Sequence, residues 1–189
     1  MPSGTAGGSG SEGLPGDSLH PAVAIDTSLG RITVRLDREK APISVDNFLA
    51  YVESGHYDGT IIHQVIKDYP KVILGGAFTP EKSEKANARM PIYNEARKAL
   101  KNRRGTVAMA RRPDDQHSAT CHFFVNLADN ESLDYNDETV EGYGYCAFGE
   151  IIDGIEVADK IAQVEVEDTD DFEQIPIRTV MIESIHRLR

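Results

Sequence analysis

The chain has 189 residues and a mass of 20.8 kDa, and 40% of its residues are hydrophobic, which suits one folded domain and excludes global disorder. The 20 basic and 31 acidic residues give a net charge of −11, so we expect neither nucleic acid nor an anionic membrane surface as a partner. No apolar run approaches the roughly 20 residues that a membrane-spanning helix needs.

The first 21 residues differ in composition from the rest of the chain. They read MPSGTAGGSGSEGLPGDSLHP, in which Gly, Ser and Pro dominate. Such a segment has no apolar face to bury, so residues 1–21 are predicted to be a flexible tail, either a linker or an expression remnant, ahead of a domain at 22–189. The segment lacks the basic start and apolar stretch of a secretory signal. We expect a cytoplasmic protein, and a periplasmic location stays open if a native leader was removed.

The segment 22–37, AVAIDTSLGRITVRLD, predicts a β-hairpin. Apolar and polar residues alternate on both sides of the sequence SLG, which can turn the chain. One face of the hairpin is therefore expected to be buried.

The next segment, APISVDNFLAYVESG, predicts an α-helix. Ser44 is positioned to cap its start, and Gly55 follows its end. Four apolar residues recur at helical spacing on one face, namely Val45, Phe48, Leu49 and Val52.

Most of the remaining chain predicts short strands, with one more helix. The helix is expected in DGIEVADKIAQV, with Ile155, Ala158 and either Ile161 or Ala162 facing inward. The apolar runs of β type lie at 61–66, 71–75, 106–110, 122–127, 145–152 and in the closing VMIESI.

Many strands and two well-separated helices, without regular βα alternation, predict a mainly β fold. An antiparallel barrel closed by helices fits this order better than a parallel sheet does. The acidic segment 164–174 is interpreted as a solvated loop, because it lacks the ligand spacing of an EF-hand calcium site.

The two cysteines, Cys121 and Cys146, both lie in apolar, strand-like surroundings. We interpret them as buried free thiols, although a disulfide in an oxidising compartment remains an alternative. A metal site built from His117, Cys121 and His122 is disfavoured, because no second ligand cluster accompanies them. We expect neither a metal nor a cofactor.

Four long motifs, in order, resemble the cyclophilin-type peptidyl-prolyl cis-trans isomerases, and their bacterial branch in particular. The motifs span most of residues 23–186 and read APISVDNFLAYVESGHYDGTIIH, NEARKALKNRRGTVAMAR, HSATCHFFVN and GYGYCAFGEIIDGIEVADKI. The resemblance implies an eight-stranded closed antiparallel barrel capped by two α-helices, with a proline-binding groove on its outer face.

The same resemblance identifies the stretch IIHQVIKDYPKVILGG as an altered active-site segment. The family's catalytic Arg falls on Gln64, and its strand-borne Met and Gln fall on Val72 and Leu74. The sequence KDYPK contains about two extra residues. The family's pocket Phe therefore aligns with Lys71, and Tyr69 from the insertion is an alternative substitute.

Other groove positions match the family better. The resemblance implies that Phe124 forms the aromatic floor beneath the proline ring and that Leu133 forms an apolar wall. It assigns backbone hydrogen bonding with the peptide to Ala110 and Arg111. His122 stands where the family has Gln.

Two further residues align with family positions at the rim of the groove. Tyr145 occupies a position held by His in eukaryotic members and often by Tyr in bacterial ones. Ser132 replaces the Trp of drug-sensitive members, which implies weak sensitivity to cyclosporin.

A plainer interpretation exists for several of these residues. Gln64 has the alternative of a solvent-facing polar residue on a strand. His63 is interpreted as a structural histidine, because the reaction transfers no proton. Without the flanking motif, Phe124 would be interpreted as a core aromatic residue. Tyr145 has the alternative of a barrel residue with an outward hydroxyl, and Arg111 that of a surface charge.

Two functional hypotheses follow. The first is an isomerase of reduced activity that acts on Xaa-Pro bonds of peptides or unfolded polypeptides, as a monomer. The second is a proline-peptide-binding or chaperone-like module that has lost most of the catalysis. The replacement of the catalytic Arg by Gln64, with Leu74 beside it, favours the second, and the matching groove positions favour the first. We adopt the first, an enzyme.

Overall fold

The computed structural model describes residues 19–189, and nearly all of them belong to one barrel and its connections. The elements in chain order are β1 (Ala22–Thr27), β2 (Gly30–Leu36), α1 (Pro42–Glu53), β3 (Thr60–Ile66), β4 (Val72–Gly75), β5 (Thr106–Met109), β6 (Phe123–Asn126), a 3₁₀ helix (Glu131–Leu133), β7 (Ala147–Asp153), α2 (Ile155–Ala162), β8 (Val166–Glu167), β9 (Ile175–Pro176) and β10 (Met181–Arg187).

Eight of the strands form a closed antiparallel barrel in the order β1-β10-β3-β4-β6-β5-β7-β2. Helix α1 packs against β10 and β7, and helix α2 against β2, β3 and β4. The predicted hairpin is present as β1 and β2, which are joined by the two-residue turn between Thr27 and Gly30. The prediction of a closed eight-stranded barrel with two helices is confirmed.

The barrel interior is filled by aromatic and branched side chains. The ring of Phe48 from α1 lies between those of Tyr57, Phe123 and Phe148, with ring centroids 5.1 to 5.5 Å apart. All four residues of the predicted apolar face of α1 are buried. Because this helix supplies part of the core, the barrel and its cap fold as one unit.

The predicted capping role of Ser44 is wrong. Helix α1 begins at Pro42, whose missing N–H needs no partner at that position, and Ser44 already lies in the first turn. The carboxylate of Glu95 instead accepts hydrogen bonds from the backbone N–H groups of Ile43 and Ser44, at 3.1 and 2.9 Å. A residue 51 positions away in the sequence therefore caps this helix.

Helix α2 lies close to its predicted position. Ala158 and Ile161 are buried as expected, whereas Ala162 is only partly buried. Val157 is also buried, because it packs on Gly30 at the β1–β2 turn. The acidic segment after the helix is not entirely a loop, since β8 and β9 pair as a small two-stranded sheet.

Most of the predicted tail, residues 1–18, lies outside the described residues. The last three residues of that tail, 19–21, already touch the barrel: the carbonyls of Leu19 and Pro21 accept hydrogen bonds from the N–H groups of Arg38 and Leu36, at 2.9 and 2.8 Å. In the part of the chain that the structure describes, no helix is long and apolar enough to cross a membrane.

Both cysteines are buried and free, as the sequence indicated. The sulfur of Cys146 lies 3.2 Å from the hydroxyl oxygen of Ser44, beneath helix α1. Burial raises the pKa of the Cys146 thiol to about 12. This thiol is therefore not ionised at neutral pH.

Candidate active site

A single row of residues crosses the outer face of five barrel strands. Gln64 on β3 pairs with Leu74 on β4, Leu74 with Phe124 on β6, Phe124 with Ala108 on β5, and Ala108 with Ala147 on β7. Neighbouring strands are about 4.8 Å apart, so Gln64 lies roughly 10 Å from Phe124. The pairing register thus places the proposed catalytic residue at one end of an apolar row.

The row belongs to an apolar cluster that is separate from the barrel core. Its buried members are Val72, Ala108, Phe124 and Ala147. Six partly buried residues pack against them, namely Ile66, Leu74, Leu100, Ala110, Leu133 and Tyr145. Six of the residues that the sequence assigned to the proline groove therefore lie in one cluster on one face.

Arg111 and Tyr145 form one rim of this cluster. The Arg111 guanidinium lies over the Tyr145 ring, 4.6 Å from its centroid, and the Tyr145 ring meets Phe124 edge-on at 5.7 Å. The Arg111 side chain also donates to the Gly144 and Val140 carbonyls, at 2.9 and 2.8 Å. Arg111 therefore acts as a structural brace, and its charge is directed into the protein's own backbone.

The backbone beside this rim is available to a ligand. The Ala110 N–H donates to the His122 carbonyl at 3.0 Å. Among the described residues, the Ala110 carbonyl and both backbone groups of Arg111 have no hydrogen-bonding partner. An extended peptide can add to such an unpaired strand edge.

A β-bulge turns both His63 and Gln64 to the outside of the barrel. The register with β4 shifts between Ile62 and Gln64, so that Ile62 and Val65 both face the core. Gln64 is half-buried, and its side-chain amide makes no hydrogen bond to the described residues. Its NH2 group is therefore free to donate to a ligand.

His122 lies with His63 rather than with the apolar cluster. The two imidazole rings meet edge-on at 5.6 Å, and Phe78 contacts both. The His122 Nε2 atom is 3.8 Å from a carboxylate oxygen of Glu84, yet burial lowers the pKa of His122 overall. Within residues 19–189, no group of three or more His, Cys, Asp or Glu side chains is placed to hold a metal ion.

The insertion KDYPK extends toward the 3₁₀ helix. Tyr69 is 61% exposed, and its hydroxyl accepts a hydrogen bond of 3.1 Å from the Ser132 N–H. The Lys71 side chain is exposed, while its backbone N–H and carbonyl are both bonded to the Asn130 amide at 3.0 Å. Tyr69 thus lies beside the Leu133 wall, and whether it replaces the family's pocket Phe stays a prediction.

Three buried asparagines support the site, and the sequence analysis missed them. Asn126 donates to the side-chain oxygen of Asn102 at 3.1 Å, and Asn130 donates to that of Asn126 at 2.8 Å. Asn102 also donates to the carbonyls of Leu133 and Tyr145, at 3.0 and 3.1 Å. The available signal was an Asn directly after the apolar run FFV, where a strand was expected to continue.

The comparisons with known proteins agree on one family. Residues 22–187 match the family described as cyclophilin type peptidyl-prolyl cis-trans isomerase/CLD. Because this match covers more than half of the chain, the protein belongs to that family.

Bacterial members resemble the chain over most of its length. It is 46% identical over 162 residues to peptidyl-prolyl cis-trans isomerase cyp18 of Streptomyces antibioticus, covering 86% of this chain and 95% of that one. It is 43% identical over 163 residues to peptidyl-prolyl cis-trans isomerase B of Escherichia coli strain K12, covering 86% and 97%.

A solved structure has the same fold. The crystal structure of a cyclophilin type peptidyl-prolyl cis-trans isomerase from Cryptosporidium parvum superimposes with a TM-score of 0.70 at 26% identity, covering 90% of this chain and 98% of that one. A second structure of that protein, in the presence of the dipeptide Ala-Pro, gives a TM-score of 0.67 at 27% identity, covering 87% and 96%.

Phe124→Leu should weaken peptide binding, because the ring lies in the outer cluster of the groove. Phe148→Leu is the matched control, since that ring is fully buried and belongs to the barrel core rather than to the outer cluster. Both changes should lower stability by about 1–2 kcal/mol. Only Phe124→Leu should raise the KM for an Xaa-Pro peptide. An equal KM in the two variants would remove Phe124 from the site.

His63 should make the protein less stable in acid. Burial lowers its pKa from an ordinary 6.5 to about 3, so below pH 6.5 the unfolded chain binds a proton that the folded chain does not. The free energy of unfolding should then fall by up to about 1.4 kcal/mol per pH unit between pH 6.5 and 3, with no loss from this residue above pH 6.5.

His63→Gln should flatten this dependence, as measured by urea unfolding at a series of pH values. His186→Gln, which removes a half-exposed imidazole, controls for the substitution itself. An unchanged slope in His63→Gln would show that the buried imidazole does not set the acid stability.

Proposed function

We propose that this peptidyl-prolyl cis-trans isomerase works at a reduced rate, with the uncharged Gln64 amide in the role of the family's catalytic Arg. The observation that carries the proposal is the strand register, which places Gln64 and Phe124 on one outer row. Proline-containing peptides are the substrate class of the family, and a relative of known structure was studied with Ala-Pro.

The reaction requires no bond breaking. An amide resists rotation, with a barrier of about 18–20 kcal/mol, because its nitrogen donates electron density into the carbonyl. In the twisted transition state the nitrogen regains its lone pair. A hydrogen-bond donor aimed at this nitrogen therefore stabilises the transition state more than either planar form.

The groove offers each of the required contacts. The apolar cluster around Phe124 can hold the proline ring, and the unpaired backbone at Ala110 and Arg111 can hold the peptide. The free amide of Gln64 can donate to the proline nitrogen. These three contacts suffice for isomerisation, without a nucleophile or an acid–base pair.

The exchange of a charged donor for a neutral one determines how much of the isomerisation rate we expect to be lost. Hydrogen bonds to charged groups contribute about 1.5–3 kcal/mol and neutral ones about 0.5–1.5 kcal/mol, a difference of about 1–2 kcal/mol. At 1.36 kcal/mol per tenfold change, this corresponds to a roughly five- to thirty-fold slower reaction.

The second candidate is a proline-peptide-binding or chaperone-like module. It is favoured by Leu74, which lies opposite Gln64 and has no polar group to orient a donor. A peptide-binding titration together with an isomerisation assay distinguishes the two functions, because such a module binds Xaa-Pro peptides without accelerating the isomerisation of their Xaa-Pro bonds.

Gln64→Arg should raise kcat/KM for a short Xaa-Pro peptide by up to roughly thirty-fold, because it restores a charged donor. The double variant with Leu74→Gln should exceed it, since a neighbouring amide can hold the guanidinium in place. Gln64→Ala should lower the residual activity. The measurement is a coupled or NMR-exchange isomerisation assay.

Gln163→Arg is the matched control, because it makes the same charge change at an exposed position after α2. It should leave the rate unchanged. If all three groove variants also turn over peptide at the wild-type rate, Gln64 has no catalytic role and the groove is a binding surface.

Cyclosporin should inhibit weakly. Ser132 and Gln64 stand where the family's Trp and Arg contribute to its binding, and the Tyr69 hydroxyl already occupies the Ser132 N–H. Ser132→Trp combined with Gln64→Arg should increase the inhibition measured in a titration of isomerase activity. Nanomolar inhibition of the unmodified protein would contradict this prediction.

We propose that the protein acts as a monomer on unfolded polypeptides in the cytoplasm, away from membranes and nucleic acid. Its net charge of −11 supports the last point. Size-exclusion chromatography and localisation of the full chain test the others.

A further inference from the structure

A basic groove lies beside the proline site, although the protein as a whole is acidic. Five of its 20 Lys and Arg residues fall in the eight-residue segment 97–104, RKALKNRR. Part of this segment and Lys40 line a groove of about 660 Å³. None of the established features of the reaction uses these charges.

Four cations of the groove have no carboxylate partner among residues 19–189, namely Lys40, Lys98, Lys101 and Arg103. Arg104 differs, because it forms a two-point ion pair with Asp159 at 2.8 Å. Among the described residues Glu150 is the one acidic residue that lines the groove, and it pairs with Arg35. The described residues that line the groove therefore carry a net positive charge.

The groove is continuous with the apolar row of the proline site. Leu100 lines the groove, packs against the cluster around Phe124 and pairs with Ala147 at the end of the row. Three strand spacings separate Leu100 from Phe124, which is roughly 14 Å, or about four extended residues.

The basic segment is held in place by the walls of the proline site. Asn102, between Lys101 and Arg103, is buried and donates to the carbonyls of Leu133 and Tyr145. The backbone that carries the two flanking cations is therefore held at the edge of the candidate site.

We propose that this basic groove binds acidic residues of the polypeptide whose proline occupies the neighbouring site. The inference rests on the proposed function and adds a substrate preference to it: Asp or Glu about four to six residues from the proline. At physiological ionic strength charges act over about 8 Å, so the local cations outweigh the distant net charge.

The surroundings of the groove favour a peptide over a nucleic acid. None of the described residues that line the groove has an aromatic ring on which a base could stack, and a long polyanion would meet the remaining acidic surface. Lys101 and Arg103 also line a second pocket, together with Asp129, Glu131 and Asp134. These carboxylates direct an acidic segment toward the Lys40 side.

The test compares Xaa-Pro peptides that carry three Asp or three Lys residues, placed four to six positions before or after the proline, with an unflanked peptide. One of the Asp-flanked peptides should have a kcat/KM about five-fold or more above its Lys-flanked counterpart, through KM. The preference should disappear in 0.5 M NaCl, where charges are screened to about 4 Å.

Lys101→Glu with Arg103→Glu should abolish the preference and leave the rate with the unflanked peptide unchanged. Lys82→Glu with Arg178→Glu is the matched control, because it makes the same net-charge change at exposed positions outside the groove and should keep the preference.

Each outcome decides a different point. No acceleration of the unflanked peptide would overturn the proposed function itself. If the protein accelerates isomerisation of that peptide but shows no preference between Asp-flanked and Lys-flanked peptides, only this inference is overturned. Competition by a single-stranded oligonucleotide, with no effect of Asp flanks, would also overturn it and assign the groove to nucleic acid.

Discussion

A chain of three buried side-chain amides holds the candidate site together. Asn102, Asn126 and Asn130 are almost fully buried and bonded to one another, and through them the 3₁₀ helix, the end of β6 and the basic segment are joined. A buried amide without a partner costs about 1–3 kcal/mol, so each partner depends on the others being in place. The backbones of Leu133, Tyr145 and Lys71 bond to the same three asparagines, so the shape of the candidate groove depends on this network.

The sequence predicts the barrel well because its signal is local. Alternating residues mark the β1–β2 hairpin, and the spacing of Val45, Phe48, Leu49 and Val52 marks the buried face of α1. Contacts between distant segments give no such signal. The capping of α1 by Glu95, the bulge that turns both His63 and Gln64 outward and the small sheet of β8 and β9 all depend on residues far away in the chain.

In the candidate site, too, some features were predictable from the sequence and others depend on contacts between distant segments. Resemblance to the family predicted a set of groove residues, and the structure brings six of them into one cluster. The resemblance could not show that the Arg111 guanidinium donates to the loop carbonyls of Val140 and Gly144. It also could not show that the His122 ring lies against His63. Both outcomes depend on side-chain direction, which an aligned position does not specify.

The burial of Cys146 has a practical consequence. The thiolate is the form of cysteine that attacks thiol reagents, and here the sulfur is both un-ionised at neutral pH and covered by helix α1. A reagent can reach it only when the helix lifts or the barrel opens. The rate at which Cys146 is labelled therefore reports the frequency of those rare openings. No engineered cysteine is needed for this measurement.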